Sequence, residues 1–138
     1  MPPRFFTPDE AAEALEEVRP IAEEMAEKTR ELSRVEERRR ELLRPVAGNG
    51  GGVDPAAATA LGDRLEELAR DVGGCIRRIN ELGAVVKDPA QGLLDFPALR
   101  RGEEVCLCWR VGEDEIGFWH GVDDGFAGRR PLPLDEED

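Results

Sequence analysis

Apolar residues recur at heptad spacing through the first part of the chain, at Val18, Met25, Leu32 and Val46, with Ile21, Val35 and Leu42 on the neighbouring row. This spacing predicts a long amphipathic helix. Thr7-Pro8-Asp9-Glu10 supplies its start: Thr7 caps, Pro8 fits the first helical position, and Glu10 completes a capping box. Pro20 falls inside the pattern and is expected to kink the helix or to mark off a short first segment. Lys28 and Arg39 interrupt the seam. A second helix is signalled by Asp54-Pro55, and its seam is regular: Leu61, Leu65, Leu68, Val72, Cys75, Ile79 and Leu82 alternate steps of four and three. Gly83 is well placed to end it in the left-handed conformation. Between the two, residues 45–54 form a Gly-rich connection, with no Gly-Lys-Ser/Thr to make it a phosphate loop. Residues 1–83 are therefore expected to form a long antiparallel two-helix hairpin of coiled-coil type.

After Gly83 the period changes from helical to alternating. Ala84–Lys87 and Leu93–Phe96 read as short strands around Asp88-Pro89, and Val105–Val111 and Glu115–Gly121 as a hairpin turning at Gly112-Glu113-Asp114. An even loop would pair Trp109 with Phe118 and Leu107 with His120, collecting Val105, Leu107, Trp109, Val111, Ile116 and Phe118 on one apolar face. An odd loop would instead place His120 among the cysteines, because a one-residue slip exchanges faces. The even register gives the cleaner apolar face and is the expectation. It buries Trp109 and leaves Trp119 exposed beside Arg110. The fold class is thus α+β, a helical hairpin followed by a small antiparallel sheet over residues 84–130, with an acidic tail at 131–138 and the whole forming one structural unit.

Composition narrows the function. Of 138 residues 36% are charged and only 5% aromatic, which suits long amphipathic helices. The net charge is −12, and more than half of it lies beyond residue 112, which argues against a nucleic-acid partner; Arg38-Arg39-Arg40 sits near a helix end, where cations complement the dipole. Three cysteines, Cys75, Cys106 and Cys108, are not a secreted disulfide framework, and no apolar run suits a leader or a membrane span. The expectation is a cytoplasmic protein with reduced thiols and no membrane contact.

Three stretches carry a family resemblance. They are Phe6-Thr7 with Glu10-Ala11 and Val18-Arg19-Pro20; Gly92-Leu93-Leu94-Asp95-Phe96-Pro97-Ala98; and Cys108-Trp109-Arg110 through Ile116-Gly117-Phe118-Trp119-His120 to Gly125-Phe126-Ala127-Gly128-Arg129. The chain resembles the small prokaryotic proteins grouped as domain-of-unknown-function family 2203. The resemblance covers nearly the whole chain and implies a self-contained bacterial protein, with no activity, substrate or catalytic residue attached. At Gly121 this chain departs from similar sequences, which often carry an acidic residue there.

Candidate chemistry gathers near the only histidine. Ser33 lies in the middle of the first helix, far in sequence from His120, which disfavours a serine triad. Cys106 or Cys108 could pair with His120 only in the odd register. His120 with Asp123 and Asp124 at a strand exit, joined by Asp95 or Asp88, suits a divalent metal; no other cofactor is expected. Arg110, Trp119, Phe126 and Arg129 form an expected aromatic–arginine surface for a protein partner. The function this favours is a non-enzymatic interaction or scaffold protein, a homodimer through its helices. A metal-binding protein or metal-dependent enzyme centred on His120, Asp123 and Asp124 is the alternative.

Overall fold

The computed structural model describes residues 4–44 and 54–134, so the Gly-rich connection and the acidic run Asp135–Asp138 lie outside the described residues. Helix α1 spans Pro8–Leu43 and helix α2 spans Pro55–Glu81. Both begin as their sequences require. Thr7 accepts the Glu10 amide while Glu10 reaches back to the Thr7 amide, and the Asp54 carboxylate accepts from Ala56 and Ala57. Contrary to one expectation, α1 is not divided at Pro20 but runs through it as a single helix. The missing proline N–H leaves one carbonyl without its helical partner, a loss that packing of Val18, Ile21 and Ala22 into the core outweighs.

Gly83 ends α2 with φ +98°, and a Cβ there would stand 2.8 Å from Cζ of Phe6, so only glycine serves. The chain then forms a meander of β1 (Val85–Asp88), β2 (Leu93–Arg100), β3 (Glu103–Arg110), β4 (Phe118–Gly121) and β5 (Arg130–Pro131). The strands lie in the sheet in chain order, every adjacent pair antiparallel. The β2–β3 connection is a tight turn at Arg101 and Gly102, both with positive φ. Beyond β5 the chain stays docked: Leu134 is buried and its carbonyl accepts from Arg100 Nε at 2.6 Å.

One face of the sheet packs on the helices. Leu94, Phe96, Ala98, Val105, Leu107, Trp109 and Trp119 join Leu15, Val18, Met25 and Ile79 in a single core. The amide of Phe6 bonds the Pro97 carbonyl at 2.7 Å, and its ring meets Phe96 edge-on at 5.4 Å, fastening the start of α1 to β2. The buried residues of this core reach Met25 on α1 and Cys75 on α2, with Val72 packed against them. Beyond it Ala26, Val35 and Leu68 are buried, while Leu42, Leu61 and Leu65 remain half-exposed. Of the polar positions there, Lys28 bonds Asp71 at 2.9 Å and Arg64 bonds Glu31 at 2.7 Å, whereas Arg39 lies across Gly62 with its Nε buried and without a hydrogen-bond partner.

The β3–β4 register is one residue away from the expectation. Val105 faces Gly121, Cys106 faces His120, Leu107 faces Trp119, and Cys108 faces Phe118. Trp119 therefore lies on the helix-facing side, only 7% exposed, with the Arg100 and Arg130 guanidinium groups 4.9 Å and 5.2 Å from its ring. It is a core residue, and the exposed partner surface expected around it loses that member. The connection between β3 and β4 sets this register. Trp109 Nε1 donates to the Glu113 carbonyl, Arg19 donates to the carbonyls of Glu113 and Asp114, and the Glu113 carboxylate accepts the Arg110 amide. These bonds hold Val111–Gly117 as a shaped loop rather than as a continuation of the ladder.

Candidate metal centre

The one-residue shift turns Phe118 and His120 of β4 to the face away from the helices, the face that also carries Asp95 of β2 and Cys106 and Cys108 of β3. That face is only partly open to water. The segment after β4, including Val122 and the short 3-10 turn at Phe126–Gly128, folds across it and lines a cavity of about 160 Å³. Asp95 and His120 form part of the wall and are buried to 2% and 3% exposure.

The surroundings of His120 define its chemistry. Nδ1 lies 2.8 Å from the Gly121 carbonyl, and Nε2 lies 3.0 Å from Asp95 Oδ1. A carbonyl only accepts, so Nδ1 carries a proton and donates it. Nε2 then turns its lone pair towards a carboxylate unless a positive charge stands between them, either a proton or a metal ion. A backbone carbonyl on one ring nitrogen is also the usual way a metal-ligating histidine is oriented.

Cys106 completes a trio. One ligand atom each from Asp95, Cys106 and His120 lies within 4.8 Å of the others, the one such group of three among the described residues. A tetrahedral ion with bonds of about 2.0 Å sets oxygen and nitrogen ligands about 3.3 Å apart, close to the observed separation of 3.0 Å. Without an ion the thiol is strongly disfavoured as an anion. Burial, reinforced by the Asp95 carboxylate, pushes Cys106 up to about 12. Burial also pushes Cys108 up to about 11 against the opposing effect of Arg129, and it raises Cys75 to about 11 with help from Glu24, whose carboxylate accepts the thiol. None of the three thiols is activated. Metal-free native protein is expected to react slowly with a disulfide reagent at pH 8, and to titrate three thiols once unfolded; a fast native thiol would contradict this.

The other sequence candidates fall elsewhere. Asp123 and Asp124 are exposed and outside the trio, so the strand-exit ligand set centred on them is not assembled. Asp124 instead accepts the Gly121 amide, with Oδ2 only 2.6 Å from where a Cβ of residue 121 would be. The space a side chain at position 121 would take is thus filled by Asp124. Asp88 accepts from the amides of Ala90 and Gln91 and shapes the β1–β2 turn. Arg110, Phe126 and Arg129 do come together. Phe126 lies between the two guanidinium groups, 5.2 Å and 4.5 Å away, and Arg129 also covers Phe118 at 4.1 Å. Arg129 Nη2 donates to both oxygens of the Glu113 carboxylate, at 2.7 Å and 2.8 Å, which makes Arg129 part of the cover over the outer face. Cys106 is the residue that reading the sequence left out of the metal set. Its spacing from His120 would have singled it out in the odd register.

No curated protein and no solved structure matches the chain. A family model does, over residues 4–132, and its description is "Uncharacterized conserved protein". That span takes in both helices and all five strands, with every residue of the buried trio inside it, and so the chain belongs to the DUF2203 family.

Proposed function

We propose that this protein binds one divalent metal ion through Asp95, Cys106 and His120. The observation that carries the reading is the placement of His120 between two acceptors, which calls for a positive charge at Nε2 beside a buried carboxylate. One nitrogen, one oxygen and one sulfur suit zinc better than calcium or magnesium, which take oxygen ligands. Three protein ligands leave a coordination position for water or a small ligand, the arrangement of reactive rather than purely structural zinc. The deciding experiment is the metal content of protein purified without chelator, followed by zinc titration of the stripped protein. About one zinc per chain, removable and restorable, is the expected result. No metal and no saturable uptake would mean that a proton alone bridges His120 and Asp95.

A second reading concerns association. The half-exposed Leu42, Leu61 and Leu65 on the part of the hairpin that the sheet core does not reach favour a homodimer through the helices, leaving the Arg110–Phe126–Arg129 cover for a further protein partner. Leu68 is already fully buried within one chain, so Leu61 is the better probe. Leu61→Asp is expected to convert a sedimenting dimer into a monomer at micromolar concentration. A monomeric parent protein would remove this reading.

A further inference from the structure

Resting on that metal reading, we infer that the cavity beside the ion takes a small organic carboxylate, bound between the metal and the ammonium of Lys87. The first reason is position. The cavity wall carries Asp95 and His120, though not Cys106, so an ion held by the trio would border this space. The second is charge. A doubly positive ion offsets the Asp95 carboxylate and a Cys106 thiolate, with a neutral imidazole as third ligand, leaving a locally neutral centre. Lys87 then adds one uncompensated positive charge at the exposed mouth. It makes no ion pair among the described residues and lines the same cavity as Asp95. The Lys87 ammonium is complementary to one monoanion.

Size and lining select within the anions. A space of about 160 Å³ corresponds to about five waters of liquid volume, enough for a ligand of a few heavy atoms and no more. Leu93, Val122 and Phe126 supply apolar wall on the side away from the charges. A short aliphatic tail satisfies those walls, whereas phosphate or sulfate would set polar oxygens against them without hydrogen bonds. Segment geometry fits this role as well. The cover bearing Val122 and Phe126 is fixed through Asp124 to the Gly121 amide and through Arg129 to Glu113, so the cavity is built before a ligand arrives.

The test uses full-length protein loaded with cobalt(II), whose visible spectrum reports its ligands. Acetate, propionate and inorganic phosphate are titrated against the parent and against Lys87→Ala, with metal stoichiometry measured in each. Support is a saturable spectral change with propionate, stronger than with phosphate, and weakened about tenfold in Lys87→Ala at unchanged cobalt content, the loss of one charge-assisted hydrogen bond. Cobalt binding with no response to carboxylates, an equal response in Lys87→Ala, or a preference for phosphate overturns this inference and leaves the metal reading standing. Failure to bind cobalt or zinc overturns both.

Discussion

Trp109→Ala is expected to destabilise the protein by about 3–5 kcal/mol, the range for deleting a large aromatic side chain from a packed core. For a chain of this length that corresponds to a fall in melting temperature of about 10–20 °C. Three observations put Trp109 at the upper end. It has no exposed surface and faces Leu94 in the ladder. Its indole N–H donates to the Glu113 carbonyl at 3.0 Å, and the Arg19 guanidinium lies 5.3 Å from its ring while bonding the same carbonyl. Removing the ring opens a cavity between sheet and α1 and releases the loop that sets the β3–β4 register. Trp109→Phe keeps most of the volume and loses the N–H bond, so it should cost markedly less. Thermal denaturation of both variants checks this, and equal losses would place the energy in the hydrogen bond rather than in packing.

His120→Ala is expected to lower zinc affinity by at least about a hundredfold, since removal of a group one shell out from a metal already costs 10–100-fold. Cys106→Ser should weaken binding and remove the thiolate-to-metal absorption of the cobalt form. Asp123→Asn should leave affinity unchanged, because that carboxylate lies outside the trio. This set separates the sheet-face centre from a strand-exit centre on the loop. Loss with Asp123→Asn and none with Cys106→Ser would relocate the ion to the loop.

The helices were legible because their signals are local. Thr7 with Glu10, Asp54 with Pro55, and Gly83 each act within one turn, and each does what its residue type dictates. The register of β4 was not legible, for a physical reason. Choosing between even and odd pairings by the cleaner apolar face assumes that one face of the sheet is wet. Here the helices cover one face and the segment carrying Val122 and Phe126 partly covers the other, so Phe118 and His120 do not need to face the helices. The deciding contacts, Arg19 and Trp109 on the Glu113 carbonyl, join residues as far as 94 positions apart, and no local pattern encodes them. The site inherited the same ambiguity: His120 and Asp95 were visible as candidates, and Cys106 depended on the register.

The order of the sheet has a consequence for how the molecule comes into being. Strands that neighbour one another in space also neighbour one another along the chain, and the helices pair ahead of them. No long crossover has to close before contacts reward it, so the entropic toll on early pairing is low and the topology favours rapid assembly. As the polypeptide leaves the ribosome, the hairpin can collapse first and offer its apolar stripe as a template. The meander can then add one strand at a time, with Asp95, Cys106 and His120 coming into register in the order in which they are synthesised.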